Sequence, residues 1–134
     1  MKYLIILIII VFHSCGTMEK QDRVVRRHDF FNRCFSKTEL EASLKWKMFD
    51  DILILRKNNT FRYYSKVFGI VSSGYYSGNY KKFNDSISFT FIKNHKPSFF
   101  IKDTLVFDKI ENINILRNIK KDTIHYSYLI IHEK

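Results

Sequence analysis

The densest group of chemically capable side chains in this sequence is a set of tyrosines among cations. Tyr63, Tyr64, Tyr75, Tyr76 and Tyr80 lie close in sequence to Arg62, Lys66, Lys81 and Lys82. Arrayed on one face of a curved sheet, such rings stack sugars or bases while the cations meet acidic groups. Arg62, Tyr64, Tyr75, Tyr76, Tyr80, Lys81 and Lys82 are therefore the candidate ligand or partner face. The competing reading is architectural: tyrosine rings pack into a sheet with their hydroxyls at its rim, and lysines on exposed strands discourage edge pairing.

The remaining reactive residues point to no reaction. His125 and His132 are seven apart on one predicted strand, which puts them on opposite faces. His28 and His95 fall in predicted loops with no companion at ligand spacing, so no metal site is expected. Asp50 and Asp51 open a strand, and Asp103 and Asp108 flank another; nothing converges them into an acid and base pair with one raised pKa. There is no glycine-rich phosphate loop, no His-Glu-x-x-His and no Gly-x-Ser-x-Gly. The chain reads as non-enzymatic and without a cofactor.

Cys15 is different because of what precedes it. Met1 and Lys2 form a minimal positive start, and Tyr3 to Phe12 is an unbroken apolar run. Ten residues are about half of what spans a bilayer and match the apolar core of a signal peptide. The run ends in Phe12-His13-Ser14-Cys15-Gly16, which resembles the lipobox of bacterial lipoproteins. That resemblance implies export, removal of residues 1–14, diacylglycerol on the Cys15 sulfur and acylation of its new amino group, giving a stable membrane anchor. A plain signal peptide cleaved near Ser14 and an uncleaved N-terminal anchor are the alternatives. With Cys15 acylated, Cys34 has no partner within the chain, so the fold must stand without a disulfide; a buried free thiol is the default expectation for it.

The chain of 134 residues carries a net charge of +10, and the leader takes only Lys2 with it. A surface this basic attracts anions of many kinds. An exported protein meets anionic headgroups and envelope polymers rather than DNA, so no nucleic-acid partner is expected. The export signal leaves open which membrane and which leaflet hold the anchor. Hydrophobic and aromatic fractions of 46% and 16% exceed what a disordered chain carries, and the length suits one folded domain.

The elements that must position these residues follow from periodicity. Residues 15–35 read as a lipidated cysteine and a basic tether, with Lys20, Arg23, Arg26 and Arg27 and no apolar period; the domain proper is 36–134. Ser36 and Glu39 form a capping box that predicts a short helix through about Leu44, docked by Leu40 and Leu44. From there the period becomes two. Asp51–Arg56 and Thr60–Tyr64 form a hairpin around Lys57-Asn58-Asn59, and Ser72–Tyr80 is a third element. Ser86–Phe91 alternates cleanly, with Ile87, Phe89 and Phe91 inward. Ser98–Ile101, Thr104–Phe107, a segment around Ile113 and Ile115, and Thr123–Ile131 complete a set of about seven or eight strands, the last with Ile124, Tyr126, Tyr128 and Ile130 on one face. The fold class is mainly β: an antiparallel meander forming a small barrel or strongly curled sheet, with one short N-terminal helix.

Ile54–Tyr64, then Ser73-Gly74-Tyr75-Tyr76, then Asn84–Phe89 resemble the strand, turn, strand, Gly-aromatic, turn, strand rhythm of small lipocalin-like (calycin-type) envelope lipoproteins. The resemblance implies a barrel and says little about activity. The functional expectation is an anchored, non-enzymatic recognition module for a protein or an anionic envelope polymer. The alternative is a carrier of a small amphiphilic ligand. Phe61, Phe89, Phe91, Phe107, Tyr126 and Tyr128, all expected inward, would crowd an eight-stranded interior and favour the first.

Overall fold

A computed structural model describes residues 20–46, 48–119 and 128–132; the expected leader, Cys15 and the 120–127 segment lie outside the described residues. Among the described residues one helix, α1 (Lys20–Phe35), precedes eight strands: β1 (Thr38–Trp46), β2 (Phe49–Arg56), β3 (Thr60–Val67), β4 (Val71–Lys82), β5 (Ser86–Phe91), β6 (Thr104–Ile110), β7 (Ile113–Asn118) and β8 (Tyr128–His132). They close into a barrel in sequence order. Every neighbouring pair is antiparallel, and β8 returns to β1 through the pairs Ser43↔Ile130 and Ala42↔Ile131. The expected mainly β meander is thus a closed barrel.

The helix and the first strand exchange the places expected of them. Leu40 and Leu44 are spaced by four, which is about one helical turn but also two full pleats of a strand. The intervening Ala42 is fully buried, so inward residues recur every second position and the strand wins. Ser36 does not open a helix but closes one, its amide donating to the Asn32 carbonyl at 3.0 Å. The basic segment taken as a tether is helical from Lys20. It shows no apolar period because its inward stripe is mainly polar.

The barrel interior is built from alternation. Leu53 and Leu55, Phe61 and Tyr63, Ile87, Phe89 and Phe91, Leu105, Leu116 and Leu129 all project into one buried cluster. Burying each large apolar side chain stabilises the fold by roughly 1.5–3 kcal/mol. The inward face of β8 is the opposite of the one expected. Leu129 is fully buried and Ile131 packs on the core, leaving Tyr128 and Ile130 outward; Ile124 and Tyr126 lie outside the described residues. The run Tyr128-Leu129-Ile130-Ile131 is apolar in both parities, so only pairing with β7 and β1 decides. Gly78 marks the tightest approach, since a Cβ there would lie 2.0 Å from the Thr90 carbonyl oxygen.

Ser98–Ile101 is not the expected strand. After β5 and a short 3-10 turn (Ile92–Asn94), the chain folds back and inserts Phe99 and Phe100 into the interior. The Phe100 ring centroid lies 5.1 Å from both Phe89 and Phe91 and 5.4 Å from Tyr63, all edge to face, an arrangement that adds to simple burial. Asn118 holds the plug in place: its amide donates to the Phe99 carbonyl at 2.8 Å, and its side-chain oxygen accepts from the Ile101 amide at 3.2 Å.

Removing the plug's central ring should be costly. Phe100→Ala is expected to lose about 3–5 kcal/mol in denaturant melts, through lost transfer energy and a residual cavity; a loss below about 1 kcal/mol would mean that the loop does not pack as described.

Candidate functional site at the seam of helix and barrel

The inward stripe of α1 is Val25, His28, Asp29 and Asn32, a spacing that keeps all four on one side. It lies against the outer wall of β3 and β4, and Val25 is its only buried apolar residue. The rest of the seam is polar. One oxygen of the Asp29 carboxylate accepts from Arg56 Nη2. The other accepts from the Tyr75 hydroxyl and lies 3.5 Å from Arg62 Nη1. The Arg56 and Asp29 side chains are only 2% and 4% exposed. A pair buried this deeply is costly to desolvate and is retained only with good geometry and further hydrogen bonds, which Tyr75 and Arg62 supply. Burial, followed by donation to Asp29, pushes the Tyr75 hydroxyl up to about 12. Arg62 in turn sits over the Tyr64 ring at 4.7 Å, and Tyr64 stacks on Tyr75 with centroids 6.3 Å apart.

Beside this network, the Ser77 hydroxyl donates to the Phe61 carbonyl at 2.9 Å and lies 2.9 Å from His28 Nδ1. A hydroxyl has one proton. Since Phe61 takes it, Ser77 accepts from His28, whose hydrogen is therefore on Nδ1. Burial lowers the pKa of His28 most; Asp29 opposes that shift and Arg56 reinforces it. The neutral ring is the form that the seam favours.

The end of α1 is tied to the β2–β3 turn. Asn58 donates through its backbone to Ser36 Oγ at 3.1 Å and through its side chain to Asn32 Oδ1 at 2.8 Å; Lys57 donates to the Lys37 carbonyl at 3.1 Å. Ser36 and Lys37 of these ties also line a cleft of about 540 Å³, together with Arg33, Thr38, Ile54, Arg56 and Arg62. Four of the seven are cations.

The seven residues expected to share a face are divided by the wall. Arg62, Tyr64 and Tyr75 come together on the outside, in contact with α1. Tyr76 and Tyr80 point inward: Tyr76 packs on the core and stacks with His95 at 5.1 Å, while Tyr80 is buried and donates to Glu39 Oε2 at 2.7 Å. Burial and that hydrogen bond raise the Tyr80 pKa, and the same bond, with Lys82 nearby, lowers that of Glu39. Lys81 is exposed, and Lys82 pairs with Glu39 at 3.4 Å. The acids do not converge: Asp51 accepts from Ser65, Asp103 pairs with Lys96 and Asp108 with Arg117. Among the described residues no cluster of His, Cys, Asp and Glu suits a metal; His125 lies outside them. His28 is on the helix, not in a loop. Cys34 is free and exposed rather than buried, because α1 turns the Val25–Asn32 stripe inward and leaves Cys34 outside it.

Asp29 and Arg56 carry the seam, and Arg33 and Lys37, which sequence marks only as neighbours of Cys34, line the cleft. A signal existed in each strong case. Asp29 is the one acid between Arg23 and Arg33 in a strongly basic segment, and Arg56 ends an apolar strand where a leucine would prolong it.

Two measurements test the seam. Asp29→Ala leaves the Arg56 charge buried without its carboxylate and is expected to destabilise by about 3–5 kcal/mol; a loss under about 1 kcal/mol would show the pair to be solvated. For His28, the pKa in the folded state lies below its ordinary value of 6.5, so the unfolded chain binds the proton first as pH falls. Its stabilising contribution is complete above that value and declines below it, down through the lowered pKa. Wild-type Tm should therefore fall more steeply than that of His28→Asn between about pH 7 and pH 5; parallel curves would refute the neutral-ring assignment.

No protein-family model matches this chain, and neither the curated proteins nor the solved structures compared with it provide a match.

Proposed function

We propose that this protein is an envelope lipoprotein, anchored through acylated Cys15, whose barrel is a scaffold for non-enzymatic recognition of a partner protein or anionic envelope polymer on its outer surface. The observation that carries this reading is the filled interior. Phe61, Phe89, Phe91, Phe99 and Phe100 occupy the space in which a carrier of this architecture would hold its ligand, so recognition falls to the outside. The strong positive charge suits an anionic target. The lipocalin-like carrier reading shares the barrel, but it requires that the Phe99-Phe100 plug leave.

The helix adds support for a position at a membrane. Phe30, Phe31 and Phe35 are exposed, as are Arg23, Arg26 and Arg27, a combination of rings and cations suited to the interface of an anionic bilayer. Among the described residues no helix is long and apolar enough to cross a membrane, and the proposed attachment is the lipid.

Intact-mass spectrometry of membrane-fraction protein, beside a Cys15→Ala variant, tests the anchor. The expected wild-type mass lacks residues 1–14 and carries about two or three acyl chains, with the variant unprocessed; an unmodified mature chain in the soluble fraction would overturn it. An environment-sensitive apolar probe separates the two functions. Little binding is expected, whereas saturable binding displaced by fatty acids would establish the carrier instead.

A further inference from the structure

The cleft at the end of α1 has a property that structural packing alone does not account for. Among the described residues, Arg56 Nη1 and Arg62 Nε are buried and have no hydrogen-bond partner, although both residues line the cleft. A guanidinium presents five donors in a fixed fork, and an unmade bond at a buried charged donor is costly. Asp29 takes one nitrogen of each arginine and leaves these two unmatched. Arg33 and Lys37, both exposed, bring two more cations to the same cleft. Ser36 accepts from the Asn58 amide, which leaves its own hydroxyl proton to donate; Thr38 adds a second hydroxyl. The described lining contains no carboxylate, and its one apolar residue is Ile54.

We propose that this cleft binds a phosphoryl group, with the exposed Arg33 and Lys37 as the contacting charges, Ser36 and Thr38 as hydroxyl donors and Arg56 and Arg62 as the cationic floor beneath them. Planar arginine forks match the oxygens of a phosphate, and a tetrahedral anion has enough oxygens to engage several donors at once. The volume is larger than a free phosphate needs, leaving space for the group that carries it. This assignment gives the chemistry of the anionic target and rests on the recognition reading above; the ligand is a phosphoryl ester of an envelope glycan or lipid, or inorganic phosphate itself.

The test is calorimetric titration of the full chain in neutral detergent with inorganic phosphate and glycerol 1-phosphate, together with flotation on phosphatidylcholine vesicles with and without phosphatidic acid. The variants are Arg33→Gln and Lys37→Gln, whose side chains are exposed, with Lys81→Gln as a basic control away from the cleft. Saturable binding of one phosphoryl group per chain is expected, weakened about tenfold by each cleft variant and unchanged in Lys81→Gln, with Tm rising as the ligand is added. Binding of both soluble probes identifies a phosphoryl site open to free ligands. Cleft-dependent flotation with weak soluble binding assigns the headgroup. Absence of saturable binding to every probe, equal competition by chloride at matched ionic strength, or equal weakening by Lys81→Gln would overturn the proposal. Failure here with Cys15 acylated would leave the anchored recognition module standing, while phosphoryl binding by an unlipidated chain would keep the site and remove the anchor.

Discussion

A buried carboxylate joins the helix to the barrel. Most surface helices dock through an apolar stripe, but α1 turns His28, Asp29 and Asn32 inward with Val25 and leaves Phe30, Phe31 and Phe35 outside. Its attachment therefore depends on directional bonds, and Asp29 makes three of them, to Arg56, Arg62 and Tyr75. Directional bonds fix the helix at one rotation and one height along β3 and β4, where an apolar stripe would tolerate sliding. The cleft inherits its shape from that constraint, because Arg56 and Arg62 are held against Asp29 while the end of α1 is tied to Asn58.

The barrel was legible from sequence wherever alternation was unambiguous. Ser86–Phe91 has polar residues at every second position, and both its bounds and its inward face follow from that pattern. The Lys57-Asn58-Asn59 turn was equally plain, since Asn59 adopts the positive φ that asparagine tolerates. Legibility failed where one spacing served two periods, as at Leu40 and Leu44, and where both faces were apolar, as in Tyr128–Ile131. It failed again at Phe99 and Phe100, because insertion of a loop into a barrel leaves no periodic trace.

The site was half legible. Arg62, Tyr64 and Tyr75 do share a face, because they are cross-strand neighbours on β3 and β4, with Tyr64 paired directly to Tyr75. Tyr76 and Tyr80 could not join them: one step along a strand crosses the wall, and an even step from Tyr76 stays inside. The decisive residues came from elsewhere in the chain. Asp29 and Arg56 are separated by 27 positions, and no local pattern relates a helical acid to the end of a strand.

The meander orders events during synthesis. Seven of the eight strand junctions join neighbours in sequence and can form soon after both strands appear, whereas the eighth joins Ser43 to Ile130 and must wait for β8. Closing so long a loop is the slow, entropically costly step of such a topology. A nascent chain therefore has two unpaired strand edges, β1 and whichever strand has most recently emerged, and gains a sealed hydrogen-bond network only when β8 arrives. The same geometry gives β8 a disproportionate influence: truncation before Tyr128 would remove one strand and also unseal the two that flank it.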